Sequence, residues 1–285
     1  MNQYVIVCDS SCDLSEEQIS KRGIYCVQLS FRFNGENEMK CMDMSPDEFY
    51  SKMRNGLTAK TSGANTHEFM IEFEKLLKNG LDIIYIGFSS ALSMTFSSAS
   101  IASNKLRKKY PQRKIALVDS LCASAGIALL VDSVLKRKSE NMSFDDAVSY
   151  ANETAKKICH WFTVNDLEYL KRGGRISPSS AFFGNMLGIK PLLHVDDNGR
   201  LEYKSKVRGR HSAIMALSEI YSKLHCESNE VYISHADCPS DAELLARTLQ
   251  NESAARVSLI TNIGPVIGAH AGPGTLALFF KGKER

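Results

Sequence analysis

The chain contains 285 residues, and 44% of them are apolar, which is enough to build the core of one large domain or of two ordinary ones. Its formal net charge of +3 produces no strong field, so we expect no nucleic-acid partner and at most transient contact with a membrane. The apolar run that begins at Tyr4 is too short for a signal peptide or a membrane span, which predicts a cytoplasmic protein.

The first half of the chain alternates short β-rich runs with helical stretches. The predicted strands are 4–8, 23–30, 82–88 and 114–118, and the predicted helices are 15–22, 46–54, 66–78, 92–109, 120–139 and 144–159. Ser15, Ser45 and Asn65 each precede a helix and have a Gln or Glu three residues later, as in capping boxes. This alternation predicts a three-layer α/β/α domain with a parallel sheet over residues 1–159.

The pattern changes at about residues 158–160, where we place a domain boundary. The predicted strands are 161–164, 190–195, 200–205, 230–235, 256–261 and 275–280, and the predicted helices are 166–171, 177–187, 208–225 and one capped by Ser240. The Asp-Asp-Asn-Gly run at 196–199 indicates a hairpin. The mixture of hairpin and crossover predicts a two-layer α/β domain over residues 160–285, with a mixed sheet and helices on one face.

Three predicted strands of the first half end in hydroxyl-rich turns, at residues 9–11, 89–95 and 119–124. In open parallel sheets the crevice beyond the carboxyl ends of the strands is the usual ligand site, and helix N-termini there favour an anion. Helix capping is the alternative for each single turn. Asp9 and Asp119 are expected to cap their own turns rather than to form an acid pair. Thr61 and Ser62 add another hydroxyl pair before a helix.

The last predicted strand is preceded by a segment, residues 263–274, with four glycines and two prolines around one histidine, His270. Glycine permits close approach of the backbone and proline stiffens it, so we predict a rigid loop that directs His270 at a bound group. The alternative is a turn before a core strand in which the histidine is incidental. Arg175 and Arg208 lie in basic groups next to glycines, where they would grip a phosphate or form ordinary surface charge.

Several other chemistries are disfavoured. The sequence lacks the phosphate-binding patterns GxxxxGK[ST] and GxGxxG, the zinc motif HExxH and the nucleophile elbow GxSxG. Its eight cysteines are scattered, and the closest pair is Cys8 and Cys12. This spacing indicates small buried side chains rather than a disulfide scaffold or a zinc site, so we expect no metal and no cofactor.

Four blocks of the sequence resemble the DegV family, whose members include the fatty-acid-binding subunits of bacterial fatty acid kinase. The blocks are Asp-Ser-Ser-Cys-Asp-Leu at 9–14, the serine-rich turn at 89–95, residues 166–177 with Lys-Arg-Gly-Gly-Arg-Ile-Ser, and the tail at 263–274. They occur in the family's order, and the resemblance runs from residue 4 to the end of the chain.

The resemblance implies a two-domain fold that buries a long acyl chain and presents its carboxylate to a separate kinase, without catalysis by the binding subunit. The residues that it assigns to the carboxylate are Thr61, Ser62, Ser93 and His270. It places Arg175 and Arg208 where the acyl head emerges. The sequence departs from the family pattern at Ala64–Asn65, where the family has Pro-Ser, and at Met94, where it prefers glycine.

A buried acyl chain also requires an apolar lining. The residues expected to supply it are Met94, Phe182, Phe183, Met186, Leu187, Ile189, Leu192 and Ile267. Ordinary core packing is the alternative for each of them. Two other functions fit the same residues, namely a serine-dependent acyl ester hydrolase with Ser93 as nucleophile and His270 as base, and a binder of another amphipathic carboxylic acid.

Overall fold

A computed structural model describes residues 4–176, 188–226 and 228–285, and over these residues the chain forms three β-sheets. The strands are β1 Tyr4–Asp9, β2 Tyr25–Val27, β3 Ser30–Phe33, β4 Met39–Lys40, β5 Ala59–Ser62, β6 Asp82–Gly87, β7 Ile115–Asp119, β8 Ile158–Thr163, β9 Ile189–Val195, β10 Leu201–Arg208, β11 Glu230–His235, β12 Arg256–Asn262 and β13 Leu276–Lys281. The helices are α1 Glu16–Arg22, α2 Pro46–Arg54, α3 Thr66–Lys78, α4 Thr95–Lys109, α5 Ala125–Ser139, α6 Phe144–Ala155, α7 Glu168–Arg172, α8 Arg210–Leu224, α9 Pro239–Ser253 and α10 Pro265–Ala271.

The first sheet is parallel, with strand order β2-β1-β6-β7. β6 is buried along its whole length, because the helix pairs α3–α4 and α5–α6 pack over the sheet. Two predicted capping boxes are confirmed at the starts of α1 and α3, where Ser15 and Asn65 bond reciprocally with the third helical residue. Ser45 likewise accepts from the backbone of Glu48. The predicted parallel α/β sheet is therefore confirmed.

The second sheet is mixed, with strand order β10-β9-β8-β13-β11-β12. Only β11 and β12 are parallel neighbours; the other pairs in this sheet are antiparallel. Helices α8 and α9 cover one face through a core that includes Ile214, Leu217 and Leu245. Helix α5 contacts β8, β11 and β13 as well as the parallel sheet, so it lies between the two sheets and is buried along most of its length.

The third sheet is a small antiparallel one, β4-β3-β5, that the sequence did not predict. The predicted strand at 23–30 is wrong as a single element, because its two parts belong to different sheets. Tyr25–Val27 joins the parallel sheet, whereas Ser30–Phe33 turns into the antiparallel one. Between them, the backbone N–H of Leu29 donates to Ser10 Oγ at 2.9 Å, which fixes the change of direction.

Several predicted boundaries need correction. Helices α4 and α5 begin at Thr95 and Ala125, because the hydroxyl-rich turns before them are longer than expected. The predicted helix 144–159 ends at Ala155, and its last apolar residues belong to β8. Helix α9 begins with Pro239 and has no side-chain cap, so the predicted Ser240 cap is wrong. The predicted helix at 177–187 lies outside the described residues.

The glycine- and proline-rich tail is a helix rather than the predicted loop. Pro265 occupies the first turn of α10, where its missing N–H costs nothing, and Gly272 ends the helix with φ of 79°. Val266 and Ala269 turn into the core, and His270 lies in the last turn. Within the described ranges, every helix is too short or too polar to cross a bilayer.

Candidate ligand-binding site

A cavity of about 220 Å³ lies between the carboxyl end of the parallel sheet and the mixed sheet. Its walls come from the ends of β5 and β6, from β8, β10 and β13, and from α10. Among its apolar lining residues are Leu29, Phe88, Phe162, Leu201, Ile267 and Ala277. Its polar lining residues are Thr61, Ser62, Ser93, Ser124, His160, Arg175, His270 and Thr275. The result is an apolar space with a small number of polar groups on its walls, as is usual for small-molecule sites.

Thr61 and His270 come from opposite ends of the chain and meet at the cavity wall. Thr61 is at the end of β5, and its Oγ1 lies 2.7 Å from His270 Nε2. The other ring nitrogen, Nδ1, is buried and has no hydrogen-bond partner among the residues that the structure describes. Burial, followed by the charge of Arg175, lowers the pKa of His270 to about 4. The imidazole is therefore neutral at pH 7 and carries one N–H donor.

Gly173 fixes the position of the His270 ring from the opposite side. A Cβ atom added at Gly173 would lie 2.2 Å from His270 Nδ1. Only glycine allows this backbone, in the turn after α7, to come so close to the imidazole. The first glycine of the Gly-Gly pair, Gly173, is therefore required by its packing against His270. The same turn carries Arg175.

Ser93 lies in the turn between β6 and α4. Its Oγ is 2.8 Å from Thr95 Oγ1 and accepts a hydrogen bond from the backbone N–H of Thr95 at 3.2 Å. Gly63, directly after Thr61 and Ser62, packs against this turn, since a Cβ there would lie 2.7 Å from Thr95 Oγ1 and 3.4 Å from Ser93 Oγ. The two hydroxyl-bearing segments are thus held side by side at the cavity.

Arg175 contributes a positive charge beside these hydroxyl groups. Its Nε donates to the carbonyl of Leu92 at 3.2 Å, and its Nη1 donates to the carbonyl of Gly173. These bonds to main-chain carbonyls hold the guanidinium at the wall of the cavity and leave its charge without a carboxylate partner in the described contacts. An anion at the cavity would therefore find both neutral donors and a nearby cation.

His160 is a cavity residue that the sequence reasoning missed. It belongs to β8, faces Phe162 and Phe279, and has a buried Nδ1 without a hydrogen-bond partner in the described part of the chain. Burial lowers its pKa to about 3, with smaller effects of Arg285 and His194, so it is neutral at pH 7. The sequence could have indicated His160 through the period-two alternation of a strand, which puts His160 and Phe162 on one face of β8.

A buried carboxyl group connects the cavity wall to α10. Asp13 Oδ2 accepts from the hydroxyl of Ser124 at 2.5 Å, and Oδ1 accepts from the backbone N–H of Gly264 at 2.9 Å. Ser124 Oγ also lies 2.9 Å from Ser234 Oγ, in the mixed sheet, where it accepts from the Ser234 hydroxyl. Burial raises the pKa of Asp13 well above its usual value. Asp13 thus links the first turn of the chain to the residue before α10 and its His270.

The structure brings together all four predicted carboxylate residues, Thr61, Ser62, Ser93 and His270, at one cavity. Met94 also borders the cavity but is 74% exposed, which puts it at the rim rather than along an interior wall.

The predicted apolar lining is only partly found at the cavity. Ile267 is there, whereas Ile189 is not among the lining residues. Leu192 is wrong as a lining residue, because it packs in the core beneath α8 and α9 on the far face of the mixed sheet. Phe182, Phe183, Met186 and Leu187 lie outside the described residues.

The two predicted arginines are in different environments. Arg175 lines the cavity, as described above. Arg208 is the exposed last residue of β10, paired with Ile189, and it is not among the lining residues. Asp9 and Asp119 each accept a backbone N–H two residues further on, so both cap their own turns as predicted.

The geometry does not assemble a hydrolase dyad. Ser93 Oγ bonds to Thr95, and His270 Nε2 bonds to Thr61, so neither bond joins the expected nucleophile to the expected base. Over residues 4–176, 188–226 and 228–285, His270 Nδ1 has no hydrogen-bond partner, so no carboxylate of these ranges orients the ring. A nucleophilic serine needs a base within hydrogen-bond reach and a third group that orients that base.

Comparison with known proteins identifies relatives that span the chain. A family model described as an uncharacterised protein of the DegV family matches residues 3–283. A DegV domain-containing protein of Clostridium perfringens (strain 13 / Type A) is 39% identical over 289 aligned positions, which cover 100% of this chain and 99% of the relative. Two solved structures are similar: a DegV lipid-binding protein from Thermotoga maritima (TM-score 0.86, 28% identity, 99% of both chains) and a fatty-acid-binding DegV family protein from Streptococcus agalactiae (TM-score 0.87, 27% identity, 100% of both chains).

Proposed function

Since this chain belongs to the DegV family, we propose that it binds a long-chain fatty acid in the cavity between its two larger sheets. In this proposal the carboxylate lies among Thr61, Ser62, Ser93 and His270. The observation that carries it is the convergence of these side chains, from β5, the β6–α4 turn and α10, at the wall of one largely apolar cavity. Similarity to solved lipid-binding and fatty-acid-binding DegV proteins over nearly the full length supports it.

The energetics favour an acyl chain over a small polar ligand. Burial of about 15 methylenes at roughly 0.8 kcal/mol each contributes on the order of 12 kcal/mol before the costs of binding. An unpaired carboxylate would cancel much of this gain, because a charged group without hydrogen bonds is expensive to bury. Hydroxyl donors, a neutral imidazole and a nearby guanidinium offset that cost.

The apolar remainder of the cavity suits the hydrocarbon tail. Phe162 and Ala277 line it from the mixed sheet, and Leu29 and Phe88 line it from the first half of the chain. We propose that Phe182, Phe183, Met186 and Leu187 extend this lining. We also propose that the chain has two domains, 1–159 and 160–285, and that these domains supply opposite walls of the site.

We further propose that the protein is not an enzyme but a cytoplasmic carrier that presents the carboxylate to a separate kinase for conversion into an acyl phosphate. The rim of the cavity supports this, because Ser62 and Met94 are exposed next to the proposed carboxylate position. Uncharged donors hold an anion less firmly than a bidentate arginine does, which suits a ligand that must be modified in place. Arg175 and Arg208 are proposed to face the kinase and the nascent phosphate.

Mass spectrometry of the denatured protein, purified from cells, tests ligand binding. We expect about one long-chain fatty acid per chain. Ser93→Ala should retain clearly less lipid, because the carboxylate loses a donor, whereas Ser90→Ala, an exposed serine in the same turn, should retain the wild-type amount. A wild-type protein that carries no lipid and takes up none on incubation with oleate would refute the proposal.

The same spectra distinguish the alternatives. A different amphipathic acid, recovered in stoichiometric amount, would leave the site intact but change the ligand class. Stable modification of Ser93 by a fluorophosphonate would instead favour the hydrolase, which requires an activated serine hydroxyl. We expect no such modification, because Ser93 has Thr95 rather than a histidine as its hydrogen-bond partner.

A further inference from the structure

Three cysteine side chains meet at the carboxyl end of strands β1 and β2 of the parallel sheet, and none of them lines the cavity. Cys8 and Cys26 are register partners on the parallel neighbours β1 and β2. Cys12 ends the 3-10 turn, Ser10–Cys12, that follows β1 and returns toward Cys8. The three Sγ atoms all lie within 4.8 Å of one another, and those of Cys8 and Cys12 are 3.7 Å apart. Sheet register and one tight turn therefore hold the three thiols together.

This spacing matches the first coordination sphere of a metal ion. With metal–sulfur bonds of about 2.3 Å, three sulfurs around a trigonal centre are about 4.0 Å apart. The Cys8–Cys12 sulfur separation of 3.7 Å is close to that value and the other two are at most 4.8 Å, so a cation could be bound with small side-chain adjustments. Thiolates are soft ligands, which favour copper(I) and zinc over magnesium, calcium or manganese.

The ligand count distinguishes between those two metals. Within the part of the chain that the structure describes, no His, Asp or Glu side chain joins the cluster. The nearest candidate along the chain, Asp9, already accepts from Ser11, Tyr85 and the backbone of Phe88. Structural zinc takes four protein ligands in a tetrahedron, whereas this cluster offers three sulfurs and nothing else.

We propose that Cys8, Cys12 and Cys26 form a three-thiolate site for copper(I). Each thiol gives up its proton as its sulfur binds the metal, and no electron transfer is involved. Cys26 supplies the route of access, because it is partly exposed on β2, at the edge of the sheet, while Cys8 and Cys12 are fully buried. None of the three lines the cavity, so the site shares no residue with the proposed fatty-acid site.

Competition with a chromogenic copper(I) chelator tests this site. Reduced protein is titrated anaerobically with copper(I) supplied as its acetonitrile complex. We expect one copper(I) per chain to resist the chelator. Cys26→Ala should weaken binding by at least about a hundredfold, since even lost second-shell contacts cost up to that factor. The matched control is Cys226→Ala, another partly exposed cysteine, which should bind as the wild type does.

The proposal would be overturned if Cys26→Ala and Cys226→Ala weakened copper(I) binding equally. It would also be overturned if the chelator removed copper(I) from the wild type as easily as from Cys26→Ala. X-ray absorption of the copper-loaded wild-type protein gives a second test that needs no variant. We expect three sulfur neighbours at about 2.3 Å and no nitrogen or oxygen ligand. A shell with nitrogen or oxygen, or tighter retention of zinc than of copper(I), would also overturn it.

Discussion

Substitution of Gly173 by alanine tests the role of His270 without touching the histidine itself. The added Cβ would lie 2.2 Å from His270 Nδ1, whereas ordinary van der Waals contact begins at 3.4 Å. The ring must therefore retreat by the difference, 1.2 Å. Gly173 has φ of −72°, which alanine adopts freely, so the backbone itself accepts the substitution and the severe conflict is with the imidazole.

The size of the effect follows from the contacts of the ring. A retreat of this size breaks the 2.7 Å contact between His270 Nε2 and Thr61 Oγ1, which costs about 0.5–1.5 kcal/mol of stability. Overpacking adds about 1–3 kcal/mol. Loss of a hydrogen bond to a charged carboxylate costs about 1.5–3 kcal/mol, so Gly173→Ala should bind a fatty acid about 10- to 150-fold more weakly.

The assay is displacement of a fluorescent fatty-acid analogue from delipidated protein, with thermal unfolding measured in parallel. The matched control is Gly174→Asn, because Gly174 has φ of +68° and open space around its Cβ position, which asparagine tolerates. This control should bind as the wild type does. Wild-type affinity in a folded Gly173→Ala protein would refute a ligand role for His270, as would equal weakening in Gly174→Asn.

Four further outcomes are expected. Thr61→Val should lower affinity by roughly tenfold in the same displacement assay, because a hydrogen bond at the head group is lost; unchanged affinity would exclude Thr61. Ala277→Leu fills part of the cavity, so mass spectrometry should find shorter acyl chains or none, and an unchanged chain-length profile would contradict this tail position. The folded-state pKa of His270 is about 4, against about 6.5 when unfolded, so between these values the unfolded chain binds the extra proton and stability decreases as the pH is lowered. In urea unfolding, His270→Gln should lose less stability than the wild type from pH 6.5 to 4; an equal loss would contradict a neutral buried imidazole. Asp13→Ala should lower the free energy of unfolding by about 2–5 kcal/mol, since the partners of a buried carboxyl group lose their bonds, and a change below 1 kcal/mol would contradict this.

The sequence predicted features that depend on local patterns. Strand–helix alternation indicated the parallel sheet, and the caps at Ser15 and Asn65 marked helix starts that the structure confirms. The antiparallel sheet of β3, β4 and β5 was missed because its strands have only two to four residues and pair across distant parts of the chain. Such short runs carry almost no periodic signal.

The candidate site shows the same division. Motif resemblance indicated Ser93 and His270, which the structure brings to one cavity. The motifs do not indicate which residues of β9 point toward the cavity. Leu192 was therefore assigned to the lining, although it packs in the core under α8 and α9 and its neighbour Leu193 faces the core on the cavity side. The cysteine cluster was missed because Cys26 reaches Cys8 only through the register of β1 and β2.

The most direct test is a crystal structure of the protein with a long-chain fatty acid bound. We predict a carboxylate within hydrogen-bond distance of Ser93 Oγ and a ring nitrogen of His270, with the acyl chain passing Phe162 and Ala277 into the cavity. A carboxylate bound elsewhere, or lipid density outside a cavity that stays empty, would contradict the proposed mode of binding.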